Sequence, residues 1–232
     1  MPQTLPVAEY LPHPPGTPAA QPAEVLREYG PFGDATAIHG VTHDGRRVWA
    51  ATGARLVGFD PASGEAADSL AVRCDAGTAF DGRHFWQIAG ARIDKIEPAS
   101  GRVLASIPTP NPEGANSGLT WAEGSLWVGD YPSRRIHRID PATGEVLRSI
   151  ESNRFVTGVT WVDGALWHGT WEGEESELRR VDATDGRVLE RLQMPAGAGV
   201  SGLESDGAGL FYCGGGGSGK VRAVRRPRAV AA

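Results

Sequence analysis

Three side chains that can move protons interrupt a repeated pattern in this sequence. His39 precedes the glycine of a recurring motif, at a position that is Ala, Ser or Thr in the other copies. His168 follows a repeated Trp, where we align Ala, Gln, Val or Tyr in the other copies, and Asp130 ends a Leu-Trp-Val-Gly run. Imidazole and carboxylate groups serve as general bases, so we predict His39, His168 and Asp130 as catalytic residues. The alternative for His39 is an imidazole that only hydrogen-bonds water.

Oxygen donors and aromatic side chains occur near the same positions. Asp75 and Asn116, together with His39, are candidate ligands for a divalent cation (Ca²⁺, Mg²⁺ or Zn²⁺). The alternative is that the Asp and Asn side chains cap turns. The residues predicted to contact a substrate are Asn116, Ser117, Tyr131, Thr157, Thr170, Trp171 and Ser201.

These positions belong to a repeating unit, seen most regularly from Ser117 to Ile150. The segment reads SGLTW-AEG-SLWVGDY-PS-RRIHRID-PATG-EVLRSI, in which short runs rich in β-formers alternate with turn signals. Such a pattern predicts four antiparallel strands in a meander. The spacing of about 40 residues between copies indicates a repeat architecture.

The first-strand motif occurs five times, at 39–45, 76–82, 117–124, 157–164 and 201–207. We therefore predict an all-β fold, a five-bladed β-propeller of four-stranded antiparallel blades. A repeated aromatic position should pack blade against blade, and we assign to it Trp49, Trp86, Trp127, Trp167 and Phe211.

The fifth copy lacks a fourth strand, and a matching segment stands at the other end of the chain. AEVLREYG at 23–30 resembles EVLRSI at 145–150. We predict that residues 23–30 complete the last blade and close the ring, which removes exposed sheet edges. The predicted domain therefore spans residues 23–232.

Residues 1–22 form a separate arm that contains seven prolines. Proline lacks a backbone N–H, so the arm should be extended or disordered rather than part of a ladder. His13 lies in the arm and is expected to be exposed.

The bulk composition limits the possible partners and location. A formal net charge of −5 argues against a nucleic-acid or anionic-membrane surface. Cys74 and Cys213 are too few for a disulfide framework, and no signal-peptide pattern is present. We expect a cytoplasmic protein whose partner is a small-molecule ligand in the central channel.

The repeat resembles those of glutaminyl cyclotransferase-like and virginiamycin B lyase-like propellers. The resemblance lies in GLTWAEGSLWVGDY, GVTWVDGALWHGT and RIDPATGEVLRSI. It implies a lyase or cyclotransferase-like activity, and the lyase-like pattern implies a His and Glu pair with a divalent cation. Asn116 is also similar to the metal-binding Asn of gluconolactonase-type propellers.

The chain departs from the cyclotransferase pattern at its acidic residues. Those enzymes carry a Glu in a Glu-Ser-Thr-Gly-like segment, which here reads Ala50-Ala51-Thr52-Gly53, and Ala76 occupies a second acidic position. We therefore expect a small-molecule enzyme with a polar, metal-dependent or metal-free site at the channel mouth. The alternative is a non-catalytic propeller that binds a ligand or serves as a protein-interaction scaffold.

Overall fold

A computed structural model describes residues 11–227, and it shows five sheets arranged as the blades of a propeller. Residues 1–10 of the predicted arm and 228–232 of the predicted domain lie outside the described residues. The all-β, five-bladed prediction is confirmed. Residues 11–227 form no helix, and thus none that is long and apolar enough to cross a membrane.

Each blade is an antiparallel meander whose first strand lies innermost. Blade 1 consists of β3 (Gly40–His43), β4 (Val48–Ala51), β5 (Leu56–Phe59) and β6 (Ala66–Leu70). Blade 2 consists of β7 (Thr78–Phe80), β8 (Phe85–Ala89), β9 (Arg92–Ile96) and β10 (Val103–Pro108). Blade 3 consists of β11 (Asn116–Ala122), β12 (Ser125–Asp130), β13 (Arg135–Ile139) and β14 (Val146–Glu151).

The last two blades each take in a strand from the N-terminal part of the chain. Blade 4 consists of β15 (Val156–Val162), β16 (Ala165–Thr170), β17 (Glu177–Val181) and β18 (Val188–Gln193), and β1 (Gln21–Pro22) pairs in parallel with β18. Blade 5 consists of β19 (Gly202–Ser205), β20 (Leu210–Gly214), β21 (Val221–Arg225) and β2 (Val25–Tyr29).

Strand β2 closes the ring as the sequence predicts. It pairs antiparallel with β21, and its side chains also reach the first blade. Arg27 donates to the carbonyl oxygens of Ala62 and Ser63 at 2.5 and 2.6 Å, and the Tyr29 hydroxyl donates to that of Pro61 at 2.9 Å. The N-terminal strand therefore joins blade 5 to blade 1.

The core lies between neighbouring blades, where one blade's aromatic side chain stacks on the next blade. Trp127 of blade 3 stacks on Trp161 of blade 4, with ring centroids 5.9 Å apart. In blade 5 the equivalent residue is Tyr212, against which His43 of blade 1 stacks at 6.1 Å. The assignment of Phe211 to this position is wrong, because the longer turn before β20 shifts the alignment.

Five glycines, one at the start of each inner strand, allow those strands to meet around the axis. They are Gly40, Gly77, Gly118, Gly158 and Gly202. A Cβ at any of them would lie 2.2 to 2.7 Å from a backbone atom of the next blade. These contacts run around the whole ring, so the backbones leave no space for a side chain.

Residues 11–22 of the arm extend along the outer edge of blade 4. The backbone N–H of Ala23 donates to the Gln193 oxygen at 2.8 Å, which continues the pairing of β1. His13 is half-buried, and its Nε2 lies 2.8 Å from an Arg191 nitrogen. The expectation that His13 is exposed is wrong, because its ring contacts Arg191 of blade 4 and Arg154 of the loop before that blade.

Replacing one glycine of the ring tests how strongly the fold depends on it. We expect Gly118→Ala to lower the free energy of unfolding by about 3 kcal/mol or more, because its Cβ would meet the Thr157 oxygen at 2.4 Å. Gly209→Ala is the matched control, since nothing lies within 4 Å of its added Cβ. Urea denaturation of both variants gives the comparison, and equal losses would contradict the role of the ring.

Candidate functional site

The hydroxyl groups predicted at the channel mouth join neighbouring blades. Ser117 Oγ donates to the Val156 oxygen at 2.7 Å, and Ser201 Oγ donates to the Ile38 oxygen. Thr157 is buried, and its Oγ1 has no hydrogen-bond partner within the described chain. The two serine hydroxyls are therefore engaged in holding the ring, and their contact with a substrate stays a prediction.

The two predicted catalytic histidines lie in different environments. His39 is half-buried at the mouth, beside Gly53, and its backbone N–H donates to the Ala51 oxygen at 2.8 Å. His168 is fully buried between blades 3 and 4, with Nδ1 3.0 Å from the Gly169 oxygen. Burial, with the nearby Arg179 cation, lowers the pKa of His168 to about 4. The imidazole of His168 is thus neutral and closed off from the channel in this conformation.

Asp130 and Asn116 are cross-strand partners, and Asn111 connects them. Asn111 Nδ2 donates to Asp130 Oδ1 at 3.1 Å, while Asn116 Nδ2 donates to the Asn111 carbonyl oxygen at 2.8 Å. His137 Nε2 lies 3.8 Å from Asp130 Oδ2. These contacts hold the loop that leads from blade 2 into blade 3. Asn116 thus caps a turn, which is the alternative to metal binding.

The predicted metal ligands do not come together as a coordination set. Asp75 accepts from Arg73 at 2.7 Å and from the Gly90 N–H at 3.0 Å. Asp75 and Asn116 line one cavity of about 360 Å³, and His39 is not among its lining residues. Residues 11–227 contain no group of three or more His, Cys, Asp or Glu side chains placed to hold a metal. The residues present therefore do not fit the cation that the resemblance implies.

Aromatic side chains at the mouth do come together. Tyr131 stacks on Phe155 with centroids 4.7 Å apart, and its hydroxyl donates to the Trp171 carbonyl oxygen at 3.4 Å. The Trp171 indole lies against Gly199 and Gly216, so it extends from blade 4 to blade 5. Thr170 Oγ1 accepts from the Glu177 N–H at 3.1 Å. Tyr131 and Trp171 thus form an apolar edge at the mouth, whereas Thr170 supports the start of β17.

The structure adds Glu204, which the sequence interpretation passed over. It lies on inner strand β19, at the position that is Thr42, Ala79, Thr120 and Thr160 in the other blades. Its Oε1 accepts from Thr160 Oγ1 at 2.5 Å and its Oε2 from Thr42 Oγ1 at 3.0 Å. Glu204 therefore bonds to both neighbouring blades. A comparison of the repeats at this position, and not only at the strand starts, would have found it.

Burial raises the pKa of Glu204 to about 7, although hydrogen bonds from Thr160, the Ser205 N–H and Thr42 act in the opposite direction. No cation is among the groups that perturb it. Glu204 as a whole is half-buried, and hydroxyl groups of two other blades contact both of its carboxyl oxygens. Such a carboxyl group exists in both protonation states near neutral pH, as a general acid and base requires.

Glu204 and the predicted mouth residues lie at different depths. Thr42, which bonds to Glu204, is three residues along β3 from His39. At about 3.3 Å per residue, the two levels are about 10 Å apart. The reacting bond of a substrate cannot contact His39 and Glu204 at the same time. The two side chains therefore mark two separate positions along the channel.

Comparisons with solved structures agree with this architecture. The crystal structure of Myxococcus xanthus glutaminyl cyclase matches with a TM-score of 0.72 and 14% identity, over 88% of this chain and 98% of that chain. The chain has the fold of a five-bladed β-propeller. No protein-family model matches it, and no curated protein matches its sequence.

Two further propellers show how widely this fold is used. A catalytically inactive virginiamycin B lyase from Staphylococcus aureus, solved with quinupristin, matches with a TM-score of 0.50 and 16% identity, over 85% of this chain and 68% of that chain. The WD40 propeller domain of Doa1 matches with a TM-score of 0.51 and 15% identity, over 82% and 64% of the respective chains. At these identities the likeness establishes the fold alone.

The raised pKa of Glu204 predicts a pH-dependent stability. Its carboxyl group titrates near 4.5 when unfolded and near 7 when folded, so its stabilising contribution is lost as the pH rises through 7. Relative to the wild type, Glu204→Gln should gain up to about 3 kcal/mol of unfolding free energy between pH 4.5 and pH 8. Urea denaturation across this range measures the difference.

Glu24→Gln is the control for this experiment. The exposed carboxylate of Glu24 accepts a hydrogen bond from Arg225, which lowers its pKa below 4.5, so the contribution of this group changes only at more acidic pH. The difference between Glu24→Gln and the wild type should therefore stay constant from pH 4.5 to pH 8. A pH-independent difference for Glu204→Gln would contradict the assignment.

Proposed function

We propose that this protein is a small-molecule enzyme of lyase or cyclotransferase-like type, in which Glu204 transfers the proton. The observation that carries the proposal is a carboxyl group on an inner strand with a pKa of about 7 and no cationic neighbour. Burying such a group without a cation costs stability, so its presence where other blades carry Thr or Ala favours a functional role. The cyclotransferase resemblance requires a Glu that Ala50, Ala51 and Ala76 do not supply, and Glu204 provides one from the last blade.

One carboxyl group can serve either reaction. In a cyclotransferase-like reaction, the substrate amine attacks the side-chain amide carbon, the carboxylate accepts the amine proton, and the same proton passes to the departing ammonia. In a lyase-like reaction, the carboxylate removes a C–H proton and then protonates the leaving group. Thr42 and Thr160 orient the carboxyl group by donating to different oxygens of it.

The level of Glu204 favours an approach from the end of the channel opposite His39. The aromatic side chains that follow this level in three blades, Phe80, Trp121 and Trp161, pack on neighbouring rings in the core. The polar contacts of the carboxyl group are therefore those with Thr42 and Thr160. His39, Tyr131 and Trp171 lie at the other end of the channel, at its mouth. That they contact a ligand there is also part of this proposal.

Two substrates follow from the chemistry named for the structural neighbours. We expect one of two reactions: release of ammonia from a peptide with an N-terminal Gln, or consumption of quinupristin, which mass spectrometry would follow. Glu204→Gln should lower the rate of whichever reaction occurs at least about 100-fold. Glu24→Gln, with its exposed carboxylate, should retain wild-type rates. A Glu204→Gln protein that folds and keeps the wild-type rate would refute the role of Glu204.

The scaffold alternative has one observation in its favour. Outer strands of three blades expose apolar side chains at matching repeat positions, including Leu26, Leu104 and Leu147. Exposed apolar side chains mark an interaction surface where they form a contiguous patch. If neither substrate reacts and Leu104→Lys with Leu147→Lys abolishes association with a partner protein, the scaffold function is the better account.

A further inference from the structure

A buried cluster of charges lies between blades 3 and 4, away from Glu204. Arg179 on β17 is completely buried, and Arg154 in the loop before β15 is 3% exposed. Glu177 accepts hydrogen bonds from Arg179 Nε at 2.7 Å and from Arg191 Nε of β18 at 3.2 Å. Arg154 Nε lies 3.3 Å from Glu172 Oε2. The described cluster thus holds three guanidinium groups and two carboxylates.

The arm approaches this cluster with uncharged hydrogen-bond acceptors. The carbonyl oxygen of Leu11 accepts from Arg154 Nη1, and that of Pro18 accepts from Arg191 Nη1 at 3.0 Å. His13 Nε2 lies 2.8 Å from Arg191 Nη2 and 3.4 Å from Arg154 Nη2. One imidazole nitrogen therefore lies between two guanidinium groups.

This geometry specifies the state of His13. Guanidinium groups only donate hydrogen bonds, so His13 Nε2 must accept and the imidazole must be neutral. Its Nδ1 is buried and has no hydrogen-bond partner among the described residues. An acceptor held between two guanidinium groups occupies the position that an anion oxygen would take, since such donors bind carboxylates and phosphates preferentially.

We propose that Arg154 and Arg191 form an anion-binding site between blades 3 and 4, which the N-terminal arm occupies in cis through His13. The ligand is a carboxylate, phosphate or sulfate group that displaces the arm. An anionic oxygen adds an opposite charge to hydrogen bonds that the neutral arm accepts without one, and it can accept from a guanidinium group in a bidentate manner, which favours the exchange.

The charges around His13 make the exchange depend on pH. Arg191, Arg179 and Arg154 face it, with Glu177 as the facing carboxylate. Burial, and then these arginines, lower the pKa of His13 below its usual value of 6.5. Docking of the arm is therefore fully favoured above about pH 6.5 and weakens as the pH falls.

Release of the arm would also expose apolar surface. Arm residues Leu11, Pro14 and Pro15 line a cavity of about 630 Å³ together with Val188 and Leu189 of β18. The same release would free the edge of β18, which β1 now pairs. Anion binding would thereby expose a sheet edge and an apolar strip.

Sulfate titration tests the site, because sulfate keeps its charge across the relevant pH range. Calorimetry should show that His13→Ala, which removes the competing acceptor, binds sulfate at least tenfold more tightly than the wild type. Wild-type affinity should rise from pH 7.5 to pH 5.5, with faster proteolysis within residues 11–22. His13→Gln keeps a neutral acceptor and should lose the pH dependence of proteolysis.

Arginine variants separate this site from non-specific binding. In the His13→Ala background, Arg191→Gln should abolish sulfate binding, whereas Arg225→Gln, an exposed arginine paired with Glu24, should not change it. If Arg191→Gln does not fold, Arg191→Lys keeps a charge beside Glu177 and should weaken sulfate binding at least fivefold. Sulfate binding that is equal in the wild type and His13→Ala, absent from both, or insensitive to Arg191 would overturn the proposal.

Discussion

The close approach of five inner strands, backbone against backbone, is the constraint on which this structure depends. At or near the start of each strand is a glycine that lies against the next blade, and the fifth glycine contacts the first blade again. A closed ring forms only if all five contacts are made at once. The inter-blade hydrogen bonds of Ser117 and Ser201, and the stacking of Trp161 on Trp127, all require this spacing.

The same constraint creates the environment of Glu204. Because the inner strands lie so close, β11 contacts β3 and β19, which belong to blades that are not its neighbours. A carboxyl group in this space is surrounded by protein, meets hydroxyl groups from two blades and has no cation to pair with. Its near-neutral pKa is therefore a consequence of ring closure, as much as of its own sequence position.

The seam between blades 3 and 4 combines apolar packing with buried charge. Beside the apolar cluster that includes Trp127, Val159 and Leu166, it contains His168, Arg179 and Glu177, all buried. Arg191 and Arg154 extend the polar region outwards to the arm. The N-terminal arm thereby contacts a blade more than a hundred residues away in the sequence. Arg154 also pairs with Glu172, which directly follows Trp171 of the mouth.

The sequence by itself determined the architecture: blade number, strand order and closure by β2 could be predicted because each is written as a local, repeated pattern. It did not determine the chemistry, because a residue's pKa and partners depend on neighbours from other blades. His168 stands out in sequence, yet it is sealed with a pKa of about 4, whereas Glu204 lies in a weak copy of the repeat and becomes distinctive only when Thr42 and Thr160 surround it. Tertiary structure decided these roles, because desolvation and hydrogen bonding are set by distances across the ring and not by spacing along the chain.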